Sequence, residues 1–356
     1  MRRADANATL LPRGLRWAGR PLAFLYGVGV AIDRARSNPK SAPITTICIG
    51  NMSVGGTGKT PAVIYVAREL VRRGRRPAIL MRGYKAQGGD EAEEVKAALS
   101  GLNVPVLLGS DRHASALKAA ASGCDIALLD DGFQHWRLKR DLDIVLIDAS
   151  DPYGGGALLP RGKLREPVTG LTRAGIIVVT RSDILKSDAE RDDLHAELRQ
   201  LSGMKPVFFS THASAGVRCV GKPDSVWTLE QLRGLHVLAA CGIGNPGAFE
   251  RTLNCTGVEL LEFRCFDDHH AFTEKDIVTL QKRAKETDAS AIVVTEKDAV
   301  KIEKLTQLAG VPVLALRVEF SIRDDAAFWT EILGCIAKAD QRCGVRGSVN
   351  LIVRAE

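Results

Sequence analysis

The sequence contains no closely paired cysteines. Its eight cysteines are spread along 356 residues, and none belongs to a CxxC pair. Several lie in strand-like runs, where a free thiol acts as a small buried hydrophobic group. This usage is typical of a reducing compartment and gives no indication of a structural metal site.

Long hydrophobic runs and internal repeats are also absent. The apolar stretch 21–32 has twelve residues, whereas a helix needs about 20 to span a bilayer. No period recurs along the chain, which excludes a solenoid or propeller. With 45% hydrophobic and 26% charged residues, the composition is that of a globular protein with room for two cores.

The chain outside the N-terminal arm has almost no net positive charge. The net charge is +7, and residues 1–40, with eight basic and two acidic side chains, supply +6 of it. A nucleic-acid-binding protein usually spreads basic side chains over a folded face. We therefore expect no nucleic-acid partner.

The basic arm also carries the apolar stretch 21–32. Flanking arginines, Trp17 and Tyr26 suit a helix at a membrane interface, with arginines on anionic headgroups. Two alternatives remain: a secretory signal, although no small-residue cleavage site is evident, and a helix that packs on the protein's own core. We interpret residues 1–40 as a membrane-interface helix.

A glycine-rich run between an apolar segment and a helical one carries the strongest chemical signal. Residues 50–60 read Gly-Asn-Met-Ser-Val-Gly-Gly-Thr-Gly-Lys-Thr. Strand, glycine loop, Lys-Thr and helix is the context of a phosphate-binding loop, where backbone N–H groups face one anion. The strict pattern has glycine where Ser53 stands, and the alternative is a glycine turn before an ordinary helix.

The loop predicts a set of nucleotide ligands. Lys59 would reach the β- and γ-phosphates, and the Thr60 hydroxyl would ligate Mg²⁺. The predicted nucleotide-binding residues are Ser53, Val54, Gly55, Gly56, Thr57, Gly58, Lys59 and Thr60.

An apolar strand that ends in two aspartates is the second strong signal. Asp130 and Asp131 follow the run 126–129, and strand ends in such sheets face the same crevice as the phosphate loop. A carboxylate there holds Mg²⁺ directly or through water. Gln134 and His135 could extend this shell or cap a turn. The predicted metal ligands are Thr60, Asp130, Asp131 and Gln134.

Beyond the arm, β-branched runs alternate with helical segments. Such a pattern predicts a parallel sheet with helices on both faces. The predicted strands are 45–50, 77–81, 104–108, 126–130, 144–147 and 176–180, then 236–241, 258–264, 291–295 and 312–317. The predicted helices are 61–73, 112–121, 189–201, 246–254, 273–286 and 324–338.

Polar sequence around 211–227 is interpreted as a connection between two domains. The predicted fold class is α/β: a P-loop NTPase-like parallel sheet flanked by helices, a second smaller α/β domain and an N-terminal amphipathic helix. The predicted boundaries are 1–40 for the helix, 41–220 for the P-loop domain, 221–340 for the smaller domain and 341–356 for a tail.

Several further motifs occur with these two in a fixed order. They are Arg82-Gly-Tyr84, Gly89-Asp-Glu91, Leu158-Leu-Pro160, Leu164-Arg-Glu-Pro167, Asp268-His-His270 and Thr295-Glu-Lys-Asp298. Over about residues 15–335, the set resembles the tetraacyldisaccharide 4′-kinase family, the lipid A 4′-kinases of Gram-negative bacteria.

The resemblance implies an enzyme that uses ATP and Mg²⁺ to phosphorylate the 4′-hydroxyl of an acylated glucosamine disaccharide 1-phosphate, giving lipid IVA for lipopolysaccharide. It implies a monotopic protein on the cytoplasmic face of the inner membrane, with the anionic membrane surface as a partner. No obligate protein partner is inferred.

The resemblance also assigns catalytic residues. Asp90 matches the family's catalytic aspartate, which would accept the proton of the sugar hydroxyl. His269 or His270 would pair with it across the domain cleft, and Lys59 completes the predicted catalytic set. Met81 stands where the family has Ser or Thr. The acidic residues 90–94 could instead be a solvated helix start.

Four residues are predicted to contact the substrate: Asn51, Tyr84, Arg165 and Glu166. The planar guanidinium of Arg165 suits the 1-phosphate or the developing phosphoryl charge. Asn51 could instead shape the phosphate loop, and each of the four could be structural.

Two other functions fit part of the pattern. A regulatory GTPase or metallochaperone ATPase also pairs a phosphate loop with acidic strand ends, although the Asp-x-x-Gly switch is missing from its usual setting. A membrane-docked nucleotide sensor would not need Asp90. Lys297 and Asp298 would flank a base or cap a helix.

Overall fold

The computed structural model describes residues 19–83, 88–268, 270–303, 305 and 310–343. The strands β1 to β12 are Thr45–Asn51, Pro77–Met81, Val106–Leu108, Ile126–Asp130, Leu142–Asp148, Ile176–Thr180, Val207–Cys219, Lys222–Trp227, His236–Cys241, Glu259–Cys265, Ala291–Thr295 and Val313–Ile322. The helices α1 to α10 are Gly19–Arg36, Lys59–Arg72, Gly88–Ala98, Arg112–Ala121, Asp188–Ser202, Leu229–Leu232, Pro246–Asn254, Glu274–Glu286, Glu296–Ile302 and Asp325–Cys343.

All strands belong to one twelve-stranded sheet. Its order is β10-β9-β11-β12-β7-β6-β5-β1-β4-β2-β3, with β8 paired to β7. Among the described strands, the antiparallel pairs are β7 with β8 and β7 with β12, and the other pairs are parallel. The predicted P-loop NTPase-like α/β class with a second α/β series is confirmed, and each predicted strand and helix is present, several with the predicted bounds and the others with ends shifted by a few residues.

The register of the first half sets the position of the site. In β1 and β4, Ile49 pairs with Asp130, and in β1 and β5, Asn51 pairs with Leu146. These strands are buried on both faces, as parallel strands between two helical layers must be. Their carboxyl ends therefore meet at one edge of the sheet, beside the glycine-rich loop.

The segment 211–227 is not the irregular connection expected from its sequence. It lies in the hairpin β7–β8, and β7 also pairs in parallel with β6 and antiparallel with β12. Partners on both sides stabilise β7 through its backbone, so it does not need the apolar run by which the other strands were recognised. Strand β7 thereby joins the two halves of the sheet.

Helix α10 returns from the second half to the first. Phe328, Trp329 and Ile332 belong to the same buried cluster as Val66 and Leu70 of α2. Its far end is fixed by Asp340, which accepts from Arg75 at 2.9 Å and from Thr45 at 3.0 Å. The predicted boundary near residue 220 stays a prediction, because β7 and α10 both connect the halves.

Helix α1 leaves a stripe of large apolar side chains exposed. Phe24 is 70% and Leu25 63% exposed, and Leu22, Val28 and Ile32 are each at least 40% exposed. The helix has 18 residues, and none of the described helices is long and apolar enough to cross a bilayer. Its contact with the remainder of the protein includes Leu158, which closely approaches Gly27.

Candidate active site

The glycine-rich loop after β1 leaves open space above its backbone. Gly55 and Gly58 have φ of +120° and +83°, a region that favours glycine. A Cβ atom added to Gly55 or Gly56 would meet no described atom within 4 Å. Helix α2 begins at Lys59 without a side-chain cap on Gly58. The first N–H groups of α2 are therefore free to bind an anion such as a phosphate.

Asn51 supports this loop from below. Its Nδ2 donates at 2.8 Å to the Ser53 carbonyl and at 2.8 Å to the Thr57 hydroxyl. Asn51 is fully buried, so it has no surface to offer a substrate. We therefore reassign it from substrate binding to loop shaping, the alternative that the sequence left open.

The last residue of β6 and the residue that follows it hold the loop from the side. The Thr180 hydroxyl donates to the Thr57 carbonyl at 3.0 Å. Arg181 donates to the Gly56 carbonyl and forms an ion pair with Asp148 at the end of β5. Both donate to carbonyl groups of the loop, so neither competes with a ligand for its N–H groups. The sequence alone did not predict this role for Arg181, although a Thr-Arg pair at the end of a strand was a usable signal.

The segment that carries Arg165 is joined to the loop by its backbone. The Val54 N–H donates to the Lys163 carbonyl at 2.8 Å, and the Arg165 N–H donates to the Met52 carbonyl at 2.7 Å. These bonds place the Arg165 side chain beside the end of β4. There its Nη1 lies 2.9 Å from both carboxylate oxygens of Asp131.

Asp131 lies between two cations. Besides Arg165, the Lys59 Nζ is 3.9 Å from its Oδ1. Burial acts to raise the pKa of Asp131, but Lys59 and Arg165 outweigh it and hold that pKa below its usual value. Asp131 is therefore a stable anion that orients both cations towards the cleft.

Asp130 has the opposite character. It is 6% exposed, and its Oδ1 has no hydrogen-bond partner among the described residues. Burial raises the pKa of Asp130 to about 7, although the charge of Lys59 opposes this rise. A buried carboxylate oxygen without a partner at the end of this strand is suited to a metal ion.

The donor set fits Mg²⁺ bound together with a nucleotide. Among the described residues, no three His, Cys, Asp or Glu side chains form a self-contained metal site. Mg²⁺ in nucleotide sites needs only one or two carboxylates, since phosphates and water complete its shell. Asp130 and Thr60, which both line the cleft, meet that requirement.

Glu166 and Gln134 lie behind the loop. Glu166 is 2% exposed; it accepts from the Gln134 Nε2 at 2.8 Å and pairs with Arg173 at 2.7 Å. Gln134 also donates to the Asn51 carbonyl at 2.9 Å. Neither side chain lines the cleft. We therefore reassign Glu166 from substrate binding, and Gln134 from metal binding, to support of the loop.

His270 is held inside the second half. Its Nε2 lies 3.1 Å from Asp276 Oδ2, and its ring stacks on Phe266 with centroids 4.6 Å apart. The cleft is lined by Asp268 but not by His270. The Nε2 atom of His270 is therefore engaged at the start of α8, and its pairing with Asp90 stays a prediction.

The structure describes little of three other predicted residues. Tyr84 and His269 lie outside the described residues, as does the side chain of Asp90. The backbone places Asp90 in the first turn of α3, one helical turn before Glu94, which lines the cleft. Burial raises the pKa of Glu94 to about 7.

Helix α9 forms part of the opposite wall. Asp298 is fully buried and accepts from the Gly242 N–H at 2.9 Å and from the Thr295 hydroxyl at 2.7 Å. Thr295 is the N-cap of α9, and the Asp298 carboxylate joins this cap to Gly242, the residue that follows β9. Lys297 points across the cleft, with its Nζ 3.5 Å from Glu91 Oε1 of α3.

These elements enclose a cleft of about 1300 Å³. One wall is formed by the loop, α2, α3 and the Asp130–Asp131 edge, and the other by residues 243–252, α9 and β12. Ligand pockets of proteins commonly have volumes of about 300–1000 Å³. The cleft is therefore large enough for a nucleotide and part of a second substrate.

Comparison with known proteins identifies the family. The model of the tetraacyldisaccharide-1-P 4′-kinase family matches residues 15–337. The tetraacyldisaccharide 4′-kinase of Syntrophus aciditrophicus is 36% identical over 340 residues, which cover 86% of this chain and 89% of the relative. That of Anaeromyxobacter dehalogenans strain 2CP-C is 39% identical, covering 82% and 81%.

A solved structure agrees with the sequence comparisons. The crystal structure of LpxK from Aquifex aeolicus in complex with ATP superimposes with a TM-score of 0.67 and 26% identity, covering 90% of this chain and 99% of that one. Family match, sequence identity and fold therefore agree over nearly the whole chain. The chain belongs to the tetraacyldisaccharide-1-P 4′-kinase family.

Proposed function

We propose that the cleft binds MgATP on the loop 53–60 and phosphorylates the 4′-hydroxyl of a tetraacyldisaccharide 1-phosphate at the cytoplasmic face of the inner membrane. The protein is a lipid A 4′-kinase by family, and such kinases use ATP with Mg²⁺. The proposal rests above all on one observation: the open phosphate loop and the unpaired Asp130 oxygen face one cleft.

The residues of the cleft would each serve one part of phosphoryl transfer. The loop N–H groups and Lys59 would bind the β- and γ-phosphates, and Thr60 with Asp130 would hold the metal ion. Mg²⁺ supplies charge neutralisation between the phosphates when it is bound. Asp131 holds Lys59 and Arg165 in position. Both cations would therefore already lie where negative charge develops in the transition state.

The acceptor hydroxyl requires a base. We assign this role to Asp90, on α3, because α3 forms the wall opposite α9 and Glu91 and Glu94 of the same helix line the cleft. A carboxylate that accepts the proton during transfer acts on kcat more than on ATP binding.

Replacing Asp90 by alanine is expected to lower kcat about 100-fold, the low end for loss of a general base. The affinity for ATP should stay within about twofold. Steady-state kinetics and ATP titration measure the two effects. Asp192→Ala, which removes an exposed carboxylate from α5 outside the cleft, is the control and should leave both quantities unchanged. Near-native turnover of the Asp90 variant would contradict the assignment.

The membrane surface is the expected source of the lipid. The exposed stripe of α1 with its basic neighbours matches an interfacial helix. Tyr26 of α1 lies within electrostatic reach of Arg165, which lines the cleft: burial raises the pKa of the Tyr26 hydroxyl, and the charges of Arg165 and Glu166 act on it. A helix docked in the bilayer interface would thus hold the Arg165 side of the cleft close to the lipid.

The double substitution Phe24→Ser, Leu25→Ser is expected to weaken binding to lipid vesicles at least tenfold. Burying these two side chains in the interface contributes about 1.5–3 kcal/mol each, and their exposure means that the fold does not depend on them. Vesicle co-sedimentation gives the measurement. Leu117→Ser with Val278→Ser, which are also exposed, should change nothing; equal losses in both pairs would contradict the membrane role of α1.

One assay tests the proposed activity directly. The protein is incubated with labelled ATP and a tetraacylated disaccharide 1-phosphate in detergent, and the expected product is a bis-phosphorylated lipid. A parallel reaction with labelled GTP addresses the GTPase alternative. Hydrolysis of GTP without any labelled lipid would overturn the proposal.

A further inference from the structure

Two free cysteines lie side by side at the ends of β9 and β10. Cys241 is the last residue of β9 and Cys265 the last residue of β10, and the strand register pairs them directly. Directly paired residues of neighbouring strands point to the same face of the sheet, and the strands lie about 4.7–4.9 Å apart. The Cα atoms of a disulfide lie about 4.4–6.8 Å apart. The backbone spacing of this pair therefore suits a disulfide.

The two thiols contact each other but differ in exposure. Cys241 is fully buried, whereas Cys265 is exposed. Burial raises the pKa of the Cys241 thiol to about 12, and the neighbouring Cys265 thiol, which shares a hydrogen bond with it, adds to this rise. Cys241 therefore stays protonated, and an oxidant from solution meets Cys265 first.

A hydroperoxide is the class of oxidant that this arrangement suits. The Cys265 sulfur attacks one oxygen of the O–O bond and becomes a sulfenic acid, while the other oxygen leaves with the thiol proton as an alcohol or water. The Cys241 sulfur then attacks the Cys265 sulfur, and the sulfenic hydroxyl leaves with the Cys241 proton as water. The two thiols are thereby oxidised to a disulfide, and the hydroperoxide is reduced.

The segments that follow the two cysteines form part of the cleft wall. Residues 243–245 follow β9, Asp268 follows β10, and all of them line the cleft. At Gly244 this wall comes close to the phosphate loop, since a Cβ atom added there would lie 2.9 Å from the Asp268 carboxylate and 3.7 Å from the Gly56 nitrogen. Both strand ends therefore lead to the place where the phosphates of a nucleotide are proposed to bind.

A disulfide would displace this wall. The two sulfur atoms must come within bonding distance, which is shorter than the contact distance of two thiols. The strand ends are joined to their surroundings by hydrogen bonds: the Phe266 N–H donates to the Cys241 carbonyl at 2.8 Å, and the Gly242 N–H donates to Asp298 of α9 at 2.9 Å. A shift of the cysteines is therefore transmitted to the wall, and a misplacement of about 1 Å can lower the rate of an enzyme about 100-fold.

We propose that Cys241 and Cys265 form a reversible disulfide when the protein meets a hydroperoxide, and that this disulfide slows the kinase reaction. The slowed reaction rests on the function proposed above, whereas formation of the bond does not. Disulfides of cytosolic proteins are usually transient and redox-sensing. The reduced pair is the active state, and a dithiol restores it by exchange.

Peptide mapping and kinetics on the full chain test the two parts separately. After treatment with hydrogen peroxide, blocking of free thiols and digestion without reductant, a peptide pair joined through Cys241 and Cys265 is expected. The kcat/KM for ATP should fall about tenfold or more and recover with dithiothreitol. Cys265→Ser, at an exposed position, should resist peroxide. Cys255→Ser, the matched control, removes an exposed cysteine at the end of α7 and should respond like the native protein.

Three results would overturn the inference. Absence of the joined peptides, or a bond between two copies of the chain through Cys265, would mean that the strand ends do not bring the two thiols together for reaction. A disulfide that changed neither kcat/KM nor the affinity for ATP would show that the pair does not act on the cleft. An equal loss of activity in Cys265→Ser would place the oxidation elsewhere. Because peptide mapping and ATP titration need no lipid, failure of the kinase assay would leave both measurements decisive.

Discussion

Lys59→Ala is expected to reduce kcat/KM about 1000-fold. The removal of one preorganised positive group from a site of charge development costs roughly 2.7–4 kcal/mol. Lys59 stands at the first position of α2, 3.9 Å from Asp131, so its loss also removes one of the cations that balance the charge of Asp131. Steady-state kinetics at saturating lipid, with ADP affinity measured separately, would divide the loss between binding and transfer.

A lysine outside the cleft provides the control for this variant. Lys96 is exposed on α3 and does not line the cleft, so Lys96→Ala should behave like the native protein. If Lys59→Ala retained more than about a tenth of the native kcat/KM, Lys59 would not be a phosphate ligand in the sense proposed.

Asp130→Asn is expected to have two opposite effects. It should lower kcat about 1000-fold, because a neutral amide is a poor ligand for a hard cation that contributes several kcal/mol to transfer. It should also stabilise the fold at neutral pH. A carboxyl whose pKa rises from 3.8 to about 7 on folding destabilises the folded state at high pH by at most about 4 kcal/mol.

The pH dependence of that gain follows from the sign of the shift. Between pH 4 and 7 the folded state holds the Asp130 proton and the unfolded chain has lost it, so stability falls as the pH rises. The advantage of Asp130→Asn should therefore be absent near pH 4 and complete above pH 7. Urea unfolding at both ends of this range measures it.

Asp131→Asn is the matched comparison for Asp130→Asn. The pKa of the Asp131 carboxyl is lower in the folded protein than in the unfolded chain. The carboxylate therefore stabilises the fold at a pH above the pKa of the unfolded chain, and that stabilisation disappears as the pH falls. The asparagine at position 131 should therefore destabilise the protein at neutral pH. If both variants changed the free energy of unfolding at neutral pH in the same direction, the division of roles between the two aspartates would be contradicted.

The sequence predicted most elements of the fold because buried parallel strands have continuous apolar sequences. The phosphate loop and Asp130 were recognised because glycine spacing and the end of a strand are local features. Strand β7 was missed because its pairing with β6 and β12 is not local. The sequence of a strand does not indicate that it pairs with a strand more than a hundred residues away.

Side-chain direction was the least predictable property of the site. Arg165 and Glu166 are neighbours in one motif, yet one faces the cleft and the other is buried against Arg173. Successive residues in extended backbone point to opposite sides, and the sequence does not say which side is the cleft. The same uncertainty placed Asn51 among the substrate-binding residues, although its side chain is buried below the loop.

Helix α10 has a consequence for biosynthesis. The apolar surface of α2 is covered in part by Phe328 and Trp329, which leave the ribosome only when nearly the whole chain has been made. Until then the nascent phosphate-loop half exposes part of its core to water and to other chains. Prematurely terminated translation products should therefore be prone to aggregation and dependent on chaperones, even though they contain every residue of the loop itself.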